Sequence, residues 1–142
     1  MEFRDFGDRY IVRLDPGEEI IESLKRFCRE NKIESGRVMG IGAIRQTRIG
    51  YINLESKDYI FREFIGDYEL TSLMGNISIV DDEVFIHLHI TATDTDFNMI
   101  GGHLDSAIIS ATAEIFIDVY NERFLRIFDP DTGLRKLALN KD

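Results

Sequence analysis

The apolar positions of the chain follow a helical period once, near the start, and a β-type pattern from there on. Ile20, Ile21, Leu24, Phe27 and Cys28 form one stripe, and Glu19, Glu22, Lys25, Arg26 and Arg29 occupy the other face. Such 3.6-residue spacing predicts an amphipathic helix. Asp15-Pro16-Gly17-Glu18 precedes the stripe with a capping residue, a proline suited to a first helical turn and a glutamate three residues after the cap; Asn31 offers a left-handed stop. One main helix is therefore expected over residues 17–31.

The rest reads as strands separated by glycine and acidic turns. Arg9–Leu14 is expected as a first strand, with Ser35–Ile44, Ile49–Leu54 and Tyr59–Ile65 as further strands and Gly66-Asp67 as a hairpin corner. Tyr68–Val80 is long enough to bend or break at Gly75. Asp81-Asp82-Glu83 marks a turn, Val84–Thr93 a strand and Asp94–Ile100 a polar loop. Ser106–Tyr120 stays apolar for longer than an average strand, so a central or bent position is expected. Phe124–Phe128 is a final strand, Asp129–Gly133 a turn, and Leu134–Leu139 closes the fold. The sum, one helix and about seven to nine strands joined by short turns, predicts an α+β fold with a mostly antiparallel sheet. Gly40-Ile-Gly42 is no dinucleotide fingerprint, because strand rather than helix follows it.

Composition narrows the functional classes. A length of 142 residues suits a single domain over 1–142, with no repeat or linker. The first ten residues carry neither a basic head nor an apolar run, so no signal peptide is expected, and no run is long enough to span a membrane. The one cysteine, Cys28, forbids an internal disulfide and falls on the helix stripe, where a core role outweighs a nucleophilic one. The net charge of −9 is unevenly spread: Glu63 to Glu122 holds twelve Asp/Glu and no Lys or Arg. Such a stretch repels phosphate and favours cations, which disfavours direct nucleic-acid binding.

All three histidines lie inside that acidic stretch. In Phe85-Ile-His-Leu-His-Ile90 the strand period puts His87 and His89 on one face, and His103 follows a Gly101-Gly102 pair that permits close approach on a neighbouring strand. Three neutral imidazoles with an open position suit zinc or another divalent transition metal. The competing reading is three half-buried, hydrogen-bonded histidines. Glu114 is the candidate carboxylate for a general base or for support of the ligands; the alternative is a structural pair with Arg37 or a main-chain amide. Arg37 and Arg45 are candidate anchors for an anionic substrate. No nucleophile with a partnered base and no phosphate loop is present, so enzyme status stays open.

Gly40-Ile-Gly-Ala-Ile44, Tyr68-Glu-Leu-Thr-Ser-Leu-Met-Gly-Asn-Ile77, His87-Leu-His89, Gly101-Gly-His-Leu104 and Thr112-Ala-Glu-Ile115 fall in the order and spacing of the PPC ("plants and prokaryotes conserved") domain, and the chain resembles that family over nearly its whole length. The resemblance implies a β-rich α+β fold, a homotrimer and a cytoplasmic prokaryotic protein. In plants this domain follows an AT-hook; no such hook or basic tail occurs here, so a DNA-binding role is not carried over. The family's fold is also similar to that of acetolactate decarboxylase, whose zinc is held by histidines, an analogy of fold rather than of chemistry. Two functions are expected to compete. One is a metal-binding trimer, with chemistry on a small carbonyl or carboxylate compound. The other is a non-enzymatic trimeric interaction module. DNA binding comes third.

Overall fold

The computed structural model describes residues 1–139, so the last three residues of the expected 1–142 domain lie outside the described residues. Strands β1 (Glu2–Asp5) and β2 (Arg9–Leu14) precede helix α1 (Ile20–Glu30). Then come β3 (Gly36–Asn53), β4 (Asp58–Val80), β5 (Glu83–Thr93), β6 (Met99–Val119), and a small hairpin of β7 (Arg126–Asp129) and β8 (Leu134–Leu137). All the strand pairings between these elements are antiparallel, and the α+β reading holds.

The helix starts later than the sequence pattern predicts. Gly17 takes φ +90°, which a helix interior excludes, and Glu18 N–H donates to Asp15 C=O at 3.2 Å. Pro16 and Gly17 thus sit in the central positions of a turn that suits proline and then a positive-φ residue. The reciprocal contact of a capping box does form, because Glu18 Oε2 accepts from Asp15 N–H at 2.8 Å, yet it closes this turn instead of a helix. Glu19 is the actual cap, accepting from Glu22 N–H at 2.7 Å. The apolar stripe behaves as expected: Ile20, Ile21, Leu24, Phe27 and Cys28 are all buried, and Phe3 and Tyr10 pack edge-on against Phe27.

Two pairs of expected strands are each one long strand. β3 and β4 stay paired from Gly36↔Ile77 to Asn53↔Asp58, with register shifts at Gly40/Gly42 and Arg45/Thr47. The expected hairpin corner at Gly66-Asp67 is therefore an irregularity within β4: Gly66 (φ +123°) lies across from Gln46 (φ +46°) in the second of those shifts. Bulges of this kind bend a strand without ending it. The real corner is Asn53–Asp58, where Asn53 Oδ1 accepts the N–H groups of Glu55 and Ser56. At the other end, Asp81 and Asp82 both take positive φ between Val80 and Glu83, the two-residue turn whose twist suits a hairpin.

The sheet runs β1-β2-β6-β3-β4-β5, and β5 also pairs with β6. Strands β6, β3, β4 and β5 consequently close on themselves. The closing seam begins at His89↔His103 and runs to Thr93↔Met99. Alternation along β5 sends Ile86, Leu88, Ile90 and Ala92 into the core, together with Leu73, Ile77 and Ile109 from neighbouring strands and Leu24 and Phe27 of α1. His87 and His89 necessarily face the other way. The β7–β8 hairpin is tied beside the end of β4 by Ile79 N–H donating to Phe124 C=O at 2.7 Å.

Folding also rewrites the charge map. Arg37 meets Asp118 and Arg48 meets Asp105, each at 2.5 Å, while Arg123 reaches Asp82 at 2.8 Å and Arg135 reaches Asp81 at 3.0 Å. Much of the one-sign stretch is thus neutralised by arginines from before and after it.

Candidate metal centre

Strand alternation and register assemble the three histidines. His87 and His89 are two residues apart on β5, His103 lies directly opposite His89 on β6, and one ring nitrogen from each of the three falls within 4.8 Å of the others. Ring centroids are 5.2 to 5.5 Å apart. Three nitrogens on one tetrahedral zinc ion, each at about 2.1 Å, lie about 3.4 Å apart. Nitrogens that lie within 4.8 Å of one another reach that spacing by each moving inward by less than about 1 Å.

Two glycines make the approach possible. A Cβ on Gly75 would lie 1.8 Å from the carbonyl oxygen of His87, so only glycine lets β4 run this close to β5 beside the first histidine. Gly102 has φ +150°, and a Cβ there would strike Ile49 at 2.7 Å, so the residue before His103 must also lack a side chain.

The protonation states suit a ligand set. Burial, followed by the Arg126 guanidinium and then the other two imidazoles, lowers His87 to about 4. Burial and then His89 lower His103, with Asp105 opposing them. Both rings are neutral near pH 7 and keep a lone pair for a metal. His103 Nδ1 is buried with no hydrogen-bond partner among the described residues. An orphaned, buried, neutral ring nitrogen inside a cluster of three is the donor set expected of a metal centre, and the residues fit the group.

Around the triad, Tyr59 places its ring 5.1 Å from His103 and stacks on Phe61. Arg126 of β7 reaches in beside His87. Its Nε donates to Ser78 Oγ at 2.8 Å, Nη1 to the Arg135 carbonyl at 2.7 Å, and Nη2 to Asn76 Oδ1 at 2.8 Å and His87 Nδ1 at 3.1 Å. Arginine only donates, so His87 Nδ1 is the acceptor and its proton resides on Nε2. The guanidinium also lies over the Phe85 ring, 5.1 Å from its centroid.

The other residues singled out in the sequence lie elsewhere. Glu114 is exposed, eleven residues along β6 from His103 (103 to 114) and opposite Arg13 and Ile41. At about 3.3 Å per residue, that is on the order of 30 Å of strand, so this chain does not bring Glu114 to the triad. Arg37 pairs with Asp118, not Glu114, and Arg45 pairs with Asp67 at 3.1 Å, which leaves neither as an open anion anchor. Sequence reasoning missed Arg126. The available signal was a single cation in the apolar run Phe124-Leu-Arg-Ile-Phe128.

An exposed apolar row leads to the site. Ile11, Phe116, Met39 and Met74 follow one another across β2, β6, β3 and β4, and Met74 is opposite His89. Their exposures run from 38% to 57%, unusual for four adjacent apolar side chains on one sheet face.

Comparison with known proteins agrees with this architecture. A crystal structure of a conjectured DNA-binding protein from Bacteroides thetaiotaomicron shares 36% identity, covers 96% of each chain and superposes with a TM-score of 0.93. A metal-containing protein from Archaeoglobus fulgidus shares 33% identity over 96% of each chain, with a TM-score of 0.86. Acetolactate decarboxylase from Bacillus subtilis, at 15% identity and a TM-score of 0.56 over 82% of this chain and 54% of that one, shares the fold alone. In sequence, a segment of the bifunctional protein GlmU from Synechococcus sp. strain JA-3-3Ab is 33% identical over 135 residues, 93% of this chain; the chain spans 20% of that protein's length. The Plants and Prokaryotes Conserved (PCC) domain profile matches residues 1–121, which contain the histidine strands, the seam and the helix, and the chain belongs to that family.

Proposed function

We propose that this PCC-domain protein holds one divalent transition-metal ion, zinc by its all-imidazole donor set, on His87, His89 and His103. The observation carrying the proposal is the convergence of three ring nitrogens around the buried, unpartnered His103 Nδ1. The metal-containing relative from Archaeoglobus fulgidus supports it. Three protein ligands leave a coordination position for a small molecule, where zinc supplies Lewis-acid polarisation of a carbonyl or carboxylate. The chain's own residues define that position. Tyr59 lies against His103, Arg126 supplies positive charge beside His87, and Met74 lies opposite His89. Metal-dependent chemistry on a small carbonyl or carboxylate compound is the activity class that suits these surroundings, in a cytoplasmic protein. Among the described residues no helix is long and apolar enough to cross a membrane.

Metal analysis of untagged protein tests the proposal. About one equivalent per chain is expected, falling with His89→Ala and unchanged with Glu114→Gln; less than about a tenth of an equivalent, unaltered in His89→Ala, refutes it.

The alternative, a non-enzymatic trimeric module, draws on the Ile11-Phe116-Met39-Met74 row, which a second and third copy of the chain would cover. We place the trimer contact there, where it would border the metal position at Met74 and His89. Sedimentation at micromolar concentration is expected to show a trimer, and a monomer alone overturns that part. Direct DNA binding is disfavoured by the net charge of −9.

A further inference from the structure

Arg126 is a half-buried cation without a carboxylate. Its four acceptors are a hydroxyl, an amide oxygen, a backbone carbonyl and the neutral ring of His87, and it makes no ion pair among the described residues. Arg37, Arg45, Arg48, Arg123 and Arg135 each have an Asp or Glu. The one arginine touching the triad is thus held by neutral groups, in a position where burial disfavours its charge.

Its bond to His87 cannot survive metal loading. If His87 ligates through Nδ1, the lone pair that now accepts from Arg126 goes to the metal. If it ligates through Nε2, the ring proton moves to Nδ1, which then faces the guanidinium as a second donor. Either way one N–H of a half-buried guanidinium loses its acceptor, and a doubly charged ion arrives next to it. Two cations and an orphaned donor on one face of the site call for an anion that satisfies all three. We propose that Arg126 and the metal-loaded triad together bind a small organic carboxylate, with one end on the metal's open position and a carboxylate oxygen accepting from Arg126 Nη2. The planar guanidinium fork suits carboxylate, and Tyr59 beside His103 offers ring surface that suits the apolar remainder of a small organic acid. This inference rests on the metal reading above and assigns that site its ligand class.

Calorimetric titration of zinc-loaded protein with pyruvate, its neutral amide and inorganic phosphate tests the inference, with zinc content measured on every sample. Pyruvate is expected to bind wild type and to bind Arg126→Met about tenfold or more weakly, with Arg126→Lys in between and zinc content equal in all three. The amide is expected not to bind. Metal-free wild type, in which Arg126 stays engaged with His87, is expected to lose pyruvate binding as well, a comparison that needs no variant to fold. Pyruvate affinity in Arg126→Met within about twofold of wild type overturns the inference, as does the absence of pyruvate binding at millimolar concentration. Phosphate binding more tightly than pyruvate overturns the carboxylate assignment. Wild type that takes up no zinc overturns the metal reading and this inference with it; zinc uptake with Arg126-independent binding overturns this inference alone.

Discussion

Gly75→Ala is the sharpest perturbation of the link between fold and site. The new methyl would lie 1.8 Å from His87 O, 2.8 Å from His87 C and 2.9 Å from Leu88 Cα, all of them backbone atoms that cannot rotate away. An ordinary carbon–oxygen contact needs roughly 3.3 Å, so β4 and β5 must part by more than about 1 Å where Gly75 opposes Leu88. Overpacking of a close-packed interior costs about 1–3 kcal/mol. Weakening one or two ladder hydrogen bonds adds about 1 kcal/mol each. We expect a loss of about 2–4 kcal/mol, read from urea unfolding at one fixed protein concentration, because association shifts apparent stability. The same displacement shifts His87 and its strand relative to β6 and so disturbs the triad, and metal content is expected to fall well below that of wild type. A variant within about 0.5 kcal/mol of wild type, with full zinc content, would refute the claim that this close approach builds the site.

Other outcomes follow from buried groups. His87 has its folded pKa lowered from 6.5 to about 4, so between those values the unfolded chain binds more protons than the folded one. Stability of the metal-free protein is therefore expected to fall as the pH drops from about 6.5 to about 4, and His87→Gln should flatten that slope; an unchanged slope contradicts the assignment. Burial pushes the Cys28 thiol up to about 12, so iodoacetamide at pH about 8 should leave it untouched in the folded protein and label it in urea, as mass spectrometry will report. Phe27→Ala, which removes a fully buried ring between Phe3 and Tyr10, should cost about 3–5 kcal/mol in the same urea assay.

Local periodicity made several features legible in the sequence. The helix stripe from Ile20 to Cys28, the β2 strand, the acidic turn at Asp81-Asp82, and the shared face of His87 and His89 each depend on residues a few positions apart, where a 3.6- or two-residue period suffices. The same holds for His103 as third member, because Gly101-Gly102 announces a close strand approach. Strand ends were less legible. Gly66 and Gln46 bend β4 and β3 without ending them, and a glycine that makes a bulge looks in sequence like one that makes a corner. Likewise Gly17 allows a turn that borrows the residues of a helix start.

Only the tertiary structure decided the charges and the neighbours. The acidic run from Glu63 to Glu122 suggested a negative surround for the histidines, yet the closest charge to the triad is Arg126, brought in by a hairpin at the far end of the chain. Glu114 went the opposite way: one strand carries it and His103, but pairing with β2 and β3 holds it eleven residues off, on the exposed face. Electrostatic contacts depend on distance through space, which sequence separation does not report, whereas the face a side chain occupies depends on its own strand. Hence the sequence determined which residues form the triad, and the closure of β6 onto β5 and the docking of β7 decided what surrounds it.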